Sequence, residues 1–444
     1  MSTVPEVKHP TGMVGNSAES ARKNIARRLL PFVFVLYIAN YLDRANLAYA
    51  ALGMTRTLGL SDKVFGTAAG IFFVSYVALQ IPGALVVERW SARKLIATTM
   101  IAWGCLTMLT AWVHNAAELY AARFLLGAAE SGFFPGVIVY LSHWFAYKDR
   151  AKATAGFMVA IPVSFIIGSP LAGLLLGVHW FNVEGWRWLF ILEGLPAIIL
   201  GILGLFYLTD RPADAKWLPT AERNWITEVL GEERRAKSEV HSYTIWQALR
   251  HPPVVILAGS LFFSYTAFYA FIFWFPTMLK RMSGMTDVNV GLLGAIPYIA
   301  GFIGMEVIGW SSDRMQERRW HFAFTQFLAA AALVLAVTLT QSVTTSIILF
   351  AVFGFCICGE MPCFWALPGA FLSDSAAAAS IGFINAVGSV GGFVGPYLMG
   401  YLNGRTGSFT AGLIYMLGSL VIAGSLILSC PRERTRLQLL PIAR

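Results

Sequence analysis

Four charged residues lie inside apolar sequence, and their types suit anion binding and proton transfer. The first apolar run contains Asn40-Tyr41-Leu42-Asp43-Arg44-Ala45-Asn46. The fourth contains Arg123-Phe124-Leu125-Leu126-Gly127-Ala128-Ala129-Glu130. A charge at mid-bilayer costs roughly 2.5–3.5 kcal/mol on insertion scales, so such residues mark function by default. Asp43, Arg44, Arg123 and Glu130 sum to zero, as two buried ion pairs would. Arg123 and Glu130 are seven apart and share a helix face. Asp43 and Arg44 are adjacent and diverge by about 100° around a helix, so one can face a cavity and the other a partner. Arginine grips a carboxylate with a planar fork, and a carboxyl beside an arginine is a natural proton carrier. A purely structural role, two ion pairs holding the first and fourth runs together, is the competing reading. All four residues fall in the first half of the chain, where a structural device would recur in both halves.

The elements that must position them are membrane helices. The chain has 444 residues, of which 57% are hydrophobic and 13% charged, against about 25% charged in an ordinary soluble protein. Mean hydropathy is +0.63. Apolar runs are read at 29–50, 66–87, 95–113, 118–141, 153–178, 187–208, 254–279, 288–310, 321–341, 344–371, 378–402 and 408–430. Their lengths suit helices of roughly 20 residues rather than the ~10-residue alternating strands of a barrel.

The net charge of +9 sorts by side of the membrane, which excludes nucleic acid as its purpose. With the N-terminus inside, 25 Lys and Arg fall on the inner side and 6 on the outer, leaving Arg44 and Arg123 within runs. That is the positive-inside pattern, and it places both termini in the cytoplasm. The first 28 residues are polar, with Arg22, Lys23, Arg27 and Arg28 before the first run, so the first span is expected to serve as the insertion signal. Cys105, Cys356, Cys358, Cys363 and Cys430 lie in or at the end of apolar runs and read as small buried hydrophobes; no metal site is expected.

The chain divides in two. A polar stretch at 209–253 separates six runs from six, and its 220–236 part reads as an amphipathic surface helix with Trp217, Trp225, Ile226 and Val229 on the apolar side. The expected organisation is a cytoplasmic tail at 1–28, a six-helix bundle at 29–208, a linker at 209–253, a second bundle at 254–430 and a tail at 431–444. An internal repeat supports it. Glu88-Arg89 followed by Arg93-Lys94 matches Asp313-Arg314 followed by Arg318-Arg319 at an offset of 225, and Pro170 matches Pro396 at 226. Two parallel six-span repeats are a known transporter plan. The acid-Arg pairs Glu88, Arg89, Asp313 and Arg314 read as a cytoplasmic gate, each acid meeting the amides of a neighbouring helix N-terminus.

Other intramembrane groups carry weaker signals. Glu193, Glu306 and Glu360 read as packing or gating partners. Phe263, Tyr265, Phe268, Tyr269, Phe271 and Phe273 form an aromatic stripe in the seventh run. Gly388, Gly391, Gly392 and Gly395 sit in an apolar run with no following Lys-Ser/Thr, so close helix packing wins over a phosphate loop.

At Tyr41-Leu42-Asp43-Arg44-Ala45-Asn46, at Arg123-x3-Gly127-x2-Glu130-x4-Pro135 and at Asn385-x2-Gly388-x2-Gly391-Gly392-Phe393-x-Gly395-Pro396, the sequence resembles the anion:cation symporter family of the major facilitator superfamily. That family includes bacterial galactonate, tartrate, phthalate and hydroxyphenylacetate permeases, with sialin and the vesicular glutamate transporters more distant. The likeness runs from residue 29 to 430. It implies an all-α integral membrane fold of 12 helices in two pseudo-symmetric bundles. It also implies import of a small organic anion with protons as the coupling ion, by a monomer in the inner membrane, with no other cofactor and no enzymatic activity. Asp43 and Glu130 match the family's protonatable acids, and Arg44 and Arg123 its cavity arginines. Asn385, Tyr76 and Trp365 match positions lining the substrate cavity. Ala84 and Ser91 replace usual glycines, and Glu88 replaces aspartate, which softens the gate and leaves the transport chemistry untouched. An anion exchanger or facilitator, a drug-efflux antiporter and a non-transporting nutrient sensor remain the alternatives; the paired arginines weigh against efflux of cations, and a 45-residue linker is thin for a sensor's output domain.

Overall fold

The computed structural model describes residues 13–238, 252–338, 342–371 and 374–430. The side chains of Glu88 and Arg89, most of the linker's second part and the C-terminal tail lie outside the described residues. Every described element is helical. In the first half these are α1 Met13–Thr57, α2 Asp62–Arg89, α3 Ala92–Thr110, α4 Ala116–Glu130, α5 Phe133–Trp144, α6 Tyr147–Met158, α7 Ala160–Leu176 and α8 Gly185–Tyr207. Helix α9, Thr220–Ser238, lies in the linker. The second half holds α10 Pro252–Ser283, α11 Asp287–Gly294, α12 Ile296–Met315, α13 Arg319–Thr338, α14 Val343–Phe371, α15 Asp374–Thr406 and α16 Thr410–Ser429.

Eleven helical stretches among the described residues are long and apolar enough to cross a membrane. Helix α3 corresponds to the third expected span but falls outside that set. Its 19 residues open on Ala92-Arg93-Lys94, so its apolar part is short. It nonetheless packs along α8, as α13 packs along α16. Several expected spans consist of two helices in line. A break at Ser131-Gly132 directly after Glu130 separates α4 from α5, and another at Ala295 separates α11 from α12.

The repeat is structural as well as sequential. Helix α2 packs on α4 as α12 packs on α14, and α1 on α7 as α10 on α15. Arg93 at the start of α3 donates to Leu205 O at the end of α8, 3.3 Å. Arg319 at the start of α13 donates to Ile427 O, 3.4 Å, and to Leu428 O at the end of α16. Arg93 and Arg319 are therefore equivalent, at an offset of 226, the same as Pro170 and Pro396. The sequence spacing pairs Arg93 with Arg318 instead, one residue out of structural register.

Among the described residues, the two halves close on each other at one end only. This is the end carrying the α1–α2 and α10–α11 turns. Helix α2 meets α15 there, and α11 meets α7. The approach is backbone to backbone: a Cβ on Gly66 would lie 2.5 Å from Pro396 O, and one on Gly291 would lie 2.5 Å from Ser169 O. Asp62 of α2 accepts from Arg281 of α10 at 2.9 and 2.6 Å, and from Asn403 of α15. At the opposite end, α9 belongs to the first half. Glu222 accepts from Ser20 Oγ at 2.6 Å and from Asn24, Arg150 pairs with Glu233 at 3.0 Å, and Trp225 and Ile226 are buried, as the amphipathic reading of this segment predicts.

Candidate functional site

Between the halves, midway along the helices, lies a chamber walled by aromatic side chains. Arg44 of α1, Tyr76 of α2, Trp365 of α14 and Asn385 of α15 line it together. Four residues expected from sequence to contact substrate are thus assembled from four helices. Tyr37, Tyr41, Tyr265 and Tyr269 complete much of the wall, the last two from the aromatic stripe of α10. Free space among these rings is only about 30 Å³, enough for about one water molecule. Met158, Met361 and Trp365 line both this chamber and a wider vestibule of about 620 Å³ at the unclosed end. That vestibule also carries Arg150, Lys152 and Arg318 with Asp313. The chamber and the vestibule are therefore neighbours that share wall residues, and the rings around Arg44 leave no room for a larger occupant unless they part.

Among the described residues, Arg44 is the only charged side chain in the chamber wall. Its Nε donates to Glu130 Oε2 at 3.1 Å, and its guanidinium lies over the rings of Tyr41, Phe72 and Tyr76 at 5.0–5.4 Å. Stacking on ring faces holds the flat group in one orientation. Glu130 also accepts from Asn40 Nδ2 at 2.9 Å, while its Oε1 has no hydrogen-bond partner among the described residues.

Arg123, Asp43 and Glu130 sit behind the wall, almost fully buried. Arg123 packs over Phe72 at 4.9 Å, and its Nε and Nη2 have no hydrogen-bond partner among the described residues. It lies within electrostatic reach of both Asp43 and Glu130. Asp43 Oδ1 accepts from Thr107 Oγ1 of α3 at 2.7 Å. The pairing expected along α4, Arg123 with Glu130, is replaced by a pair between helices, Arg44 with Glu130. Seven residues of helix rise about 10.5 Å, too far for a direct contact even on one face. Arg123 was expected on the cavity wall and is instead a buried cation beneath it.

The remaining acids separate. Glu306 is exposed on the outer face of α12, among exposed Ile299, Ile303 and Val307. Glu360 is buried on α14; its Oε1 accepts from Ser264 Oγ at 2.5 Å and its Oε2 has no partner among the described residues. Glu193 of α8 is buried close to Asp43. In the gate, Asp313 is 70% exposed and pairs with Arg318 at 3.2 Å, while Glu317 accepts from Trp320 N at 2.7 Å and caps α13. Arg314 lies over the Trp310 ring at 5.4 Å. Among the described residues, the expected contact of Asp313 with a helix N-terminus is not made, and the halves do not close at that end.

This chain resembles known proteins along most of its length. The family model described as Major Facilitator Superfamily matches residues 33–396. A putative tartrate transporter of Agrobacterium vitis is 42% identical over 92% of this chain and 94% of that protein. A quinolone resistance transporter of Acinetobacter baumannii is 36% identical over 92% of this chain and 93% of that protein. Among solved structures, a bacterial homologue of the human lysosomal transporter Spinster, inward-facing and unoccupied, superposes with a TM-score of 0.74. It is 19% identical, over 94% of this chain and 98% of that one.

Proposed function

Because this chain belongs to the Major Facilitator Superfamily and groups with its anion:cation symporter-type permeases, we propose that it imports a small organic carboxylate together with protons. It is a multi-pass membrane transporter, not an enzyme. The observation that carries the substrate class is the one cation that lines the aromatic chamber among the described residues, Arg44, whose bond to Glu130 is made through Nε. A ligand carboxylate takes the terminal nitrogens, the fork that makes arginine a carboxylate receptor.

The same contact links proton to anion. While Glu130 is ionised, it competes with the substrate for Arg44. A proton on Glu130 ends that competition and frees the arginine. Release toward the cytoplasm reverses the sequence. In this reading the basic vestibule is the cytoplasmic mouth, its Arg150, Lys152 and Arg318 drawing anions, and the closed end is external.

Labelled tartrate in proteoliposomes tests this reading. An imposed inside-alkaline pH gradient is expected to drive accumulation above equilibrium. Glu130→Gln mimics the protonated acid and should keep counterflow within several-fold while losing accumulation. Equal accumulation by both proteins would show that Glu130 carries no coupling proton. Topology has its own check. A reporter fused after Arg444 should be active only as a cytoplasmic fusion, and periplasmic activity would invert the whole assignment.

Export of a drug is the second reading. The aromatic chamber and the relative named for quinolone resistance favour it. Faster efflux than uptake of a fluorescent quinolone, in cells expressing the chain, would select it.

A further inference from the structure

The buried charge around Arg44 does not balance once Glu193 is counted with it. Asp43, Glu130 and Glu193 supply three carboxyls, against two guanidiniums from Arg44 and Arg123, and all five side chains are buried. No donor lies within strict hydrogen-bond geometry of either carboxyl oxygen of Glu193 among the described residues, or of Asp43 Oδ2; the side chain set to hydrogen-bond to Glu193 is that of Asn46. A buried carboxylate without partners is strongly penalised, and neutralisation by a proton is the usual remedy.

The neighbours of Glu193 show where that proton belongs. Helix α8 packs against α1, α3 and α7. From α1, Asp43 and Asn46 face Glu193. From α3, Thr107 donates to Asp43, while Arg93 and Lys94 stand in the first turn and Cys105 is exposed. Helix α7 has no ionisable residue. Asn46 Nδ2 approaches Asp43 Oδ1 at 3.5 Å, while Asn46 Oδ1 has no donor among the described residues. One proton on Glu193 removes the excess buried charge.

We propose that Glu193 is a further proton-binding site of this carrier, holding with Asp43 one proton in the resting, anion-free state. When the proton passes to Asp43, the O–H bond on Glu193 breaks and one forms on Asp43, and the negative charge moves to Glu193. The total charge is unchanged, so the pair stores a proton beside Arg123 without a net cost of ionisation. This extends the proton-coupled reading above, and it is tested without any substrate, so the two stand or fall separately.

The test is infrared spectroscopy of the purified, lipid-reconstituted carrier at neutral pH. The spectrum of wild type minus Glu193→Gln should show a protonated-carboxyl band lost in the variant. If wild type minus Glu193→Gln shows instead the loss of an ionised-carboxylate band, the proposal fails. Glu193→Met provides the same comparison should the glutamine variant not reconstitute, since a site that is neutral in the resting state accepts an apolar side chain of similar length.

Discussion

Replacing Arg44 with alanine is expected to weaken anion binding by roughly 30-fold or more while leaving the protein in the membrane. Arg44 is the only charged group in the chamber wall among the described residues, and none of the others lining it supplies a second cation. Losing one partner of a buried charge pair costs roughly 2–5 kcal/mol, and each 1.4 kcal/mol is about tenfold in affinity. Lysine should recover little, because it lacks the fork and cannot stack in the same plane over Tyr41, Phe72 and Tyr76. Arg123→Ala should behave differently. Its guanidinium is buried beneath the wall, so its loss acts through Asp43 and Glu130, which lose a neighbouring counter-charge. Binding should survive to a much greater degree than in Arg44→Ala, while pH-driven accumulation fails. Thermal shift with tartrate reads binding, and gradient-driven uptake reads coupling. Near-normal affinity in Arg44→Ala, with loss in Arg123→Ala, would move the anion site behind the wall.

The difference between those two arginines was not legible in the sequence. Membrane cost singles out Asp43, Arg44, Arg123 and Glu130 as a group, and the structure keeps them together. Helical spacing gives only which residues share a face of one helix. The pair that forms, Arg44 with Glu130, joins helices 86 residues apart, and nothing local encodes it. Length and apolarity specify the spans well, yet α3 falls short because its charged first turn shares its 19 residues. Hydropathy cannot tell a buried acid from an exposed one either. Glu306 and Glu193 both lie in apolar runs, but one faces outward beside Ile303 and Val307 and the other faces Asp43. The missing signal is the rotation of each helix about its axis. Glycine patterns hold part of it, since Gly66, Gly173, Gly291 and Gly400 all mark faces where the halves touch.

Those glycines yield the second large effect. Gly291→Leu is expected to abolish transport by preventing closure of the end that is shut here. Added side-chain atoms at residue 291 would meet the Ser169 carbonyl at 2.5 Å and Gly173 Cα at 2.7 Å, across the boundary between the halves. Both are backbone atoms, so no rotamer change relieves the clash, and only separation of α7 from α11 does. Overpacking a tight contact costs about 1–3 kcal/mol even where neighbours can adjust. At the upper figure the closed state loses roughly 100-fold in population. An alternating-access carrier that cannot close one end cannot complete its cycle, whatever its affinity. Gly66→Leu, against Pro396 O on the other inter-helix contact, should do the same. By contrast, Asp62→Ala removes only the polar latch to Arg281 and Asn403 and should slow transport without stopping it. A cysteine placed at Ser389, a chamber position, reports the state when the five native cysteines are replaced. Impermeant maleimide added from outside the cell should label it at least ~10-fold faster in Gly291→Leu than in the parent. Unchanged labelling together with unchanged uptake would show that the close approach of α7 and α11 is no part of the cycle.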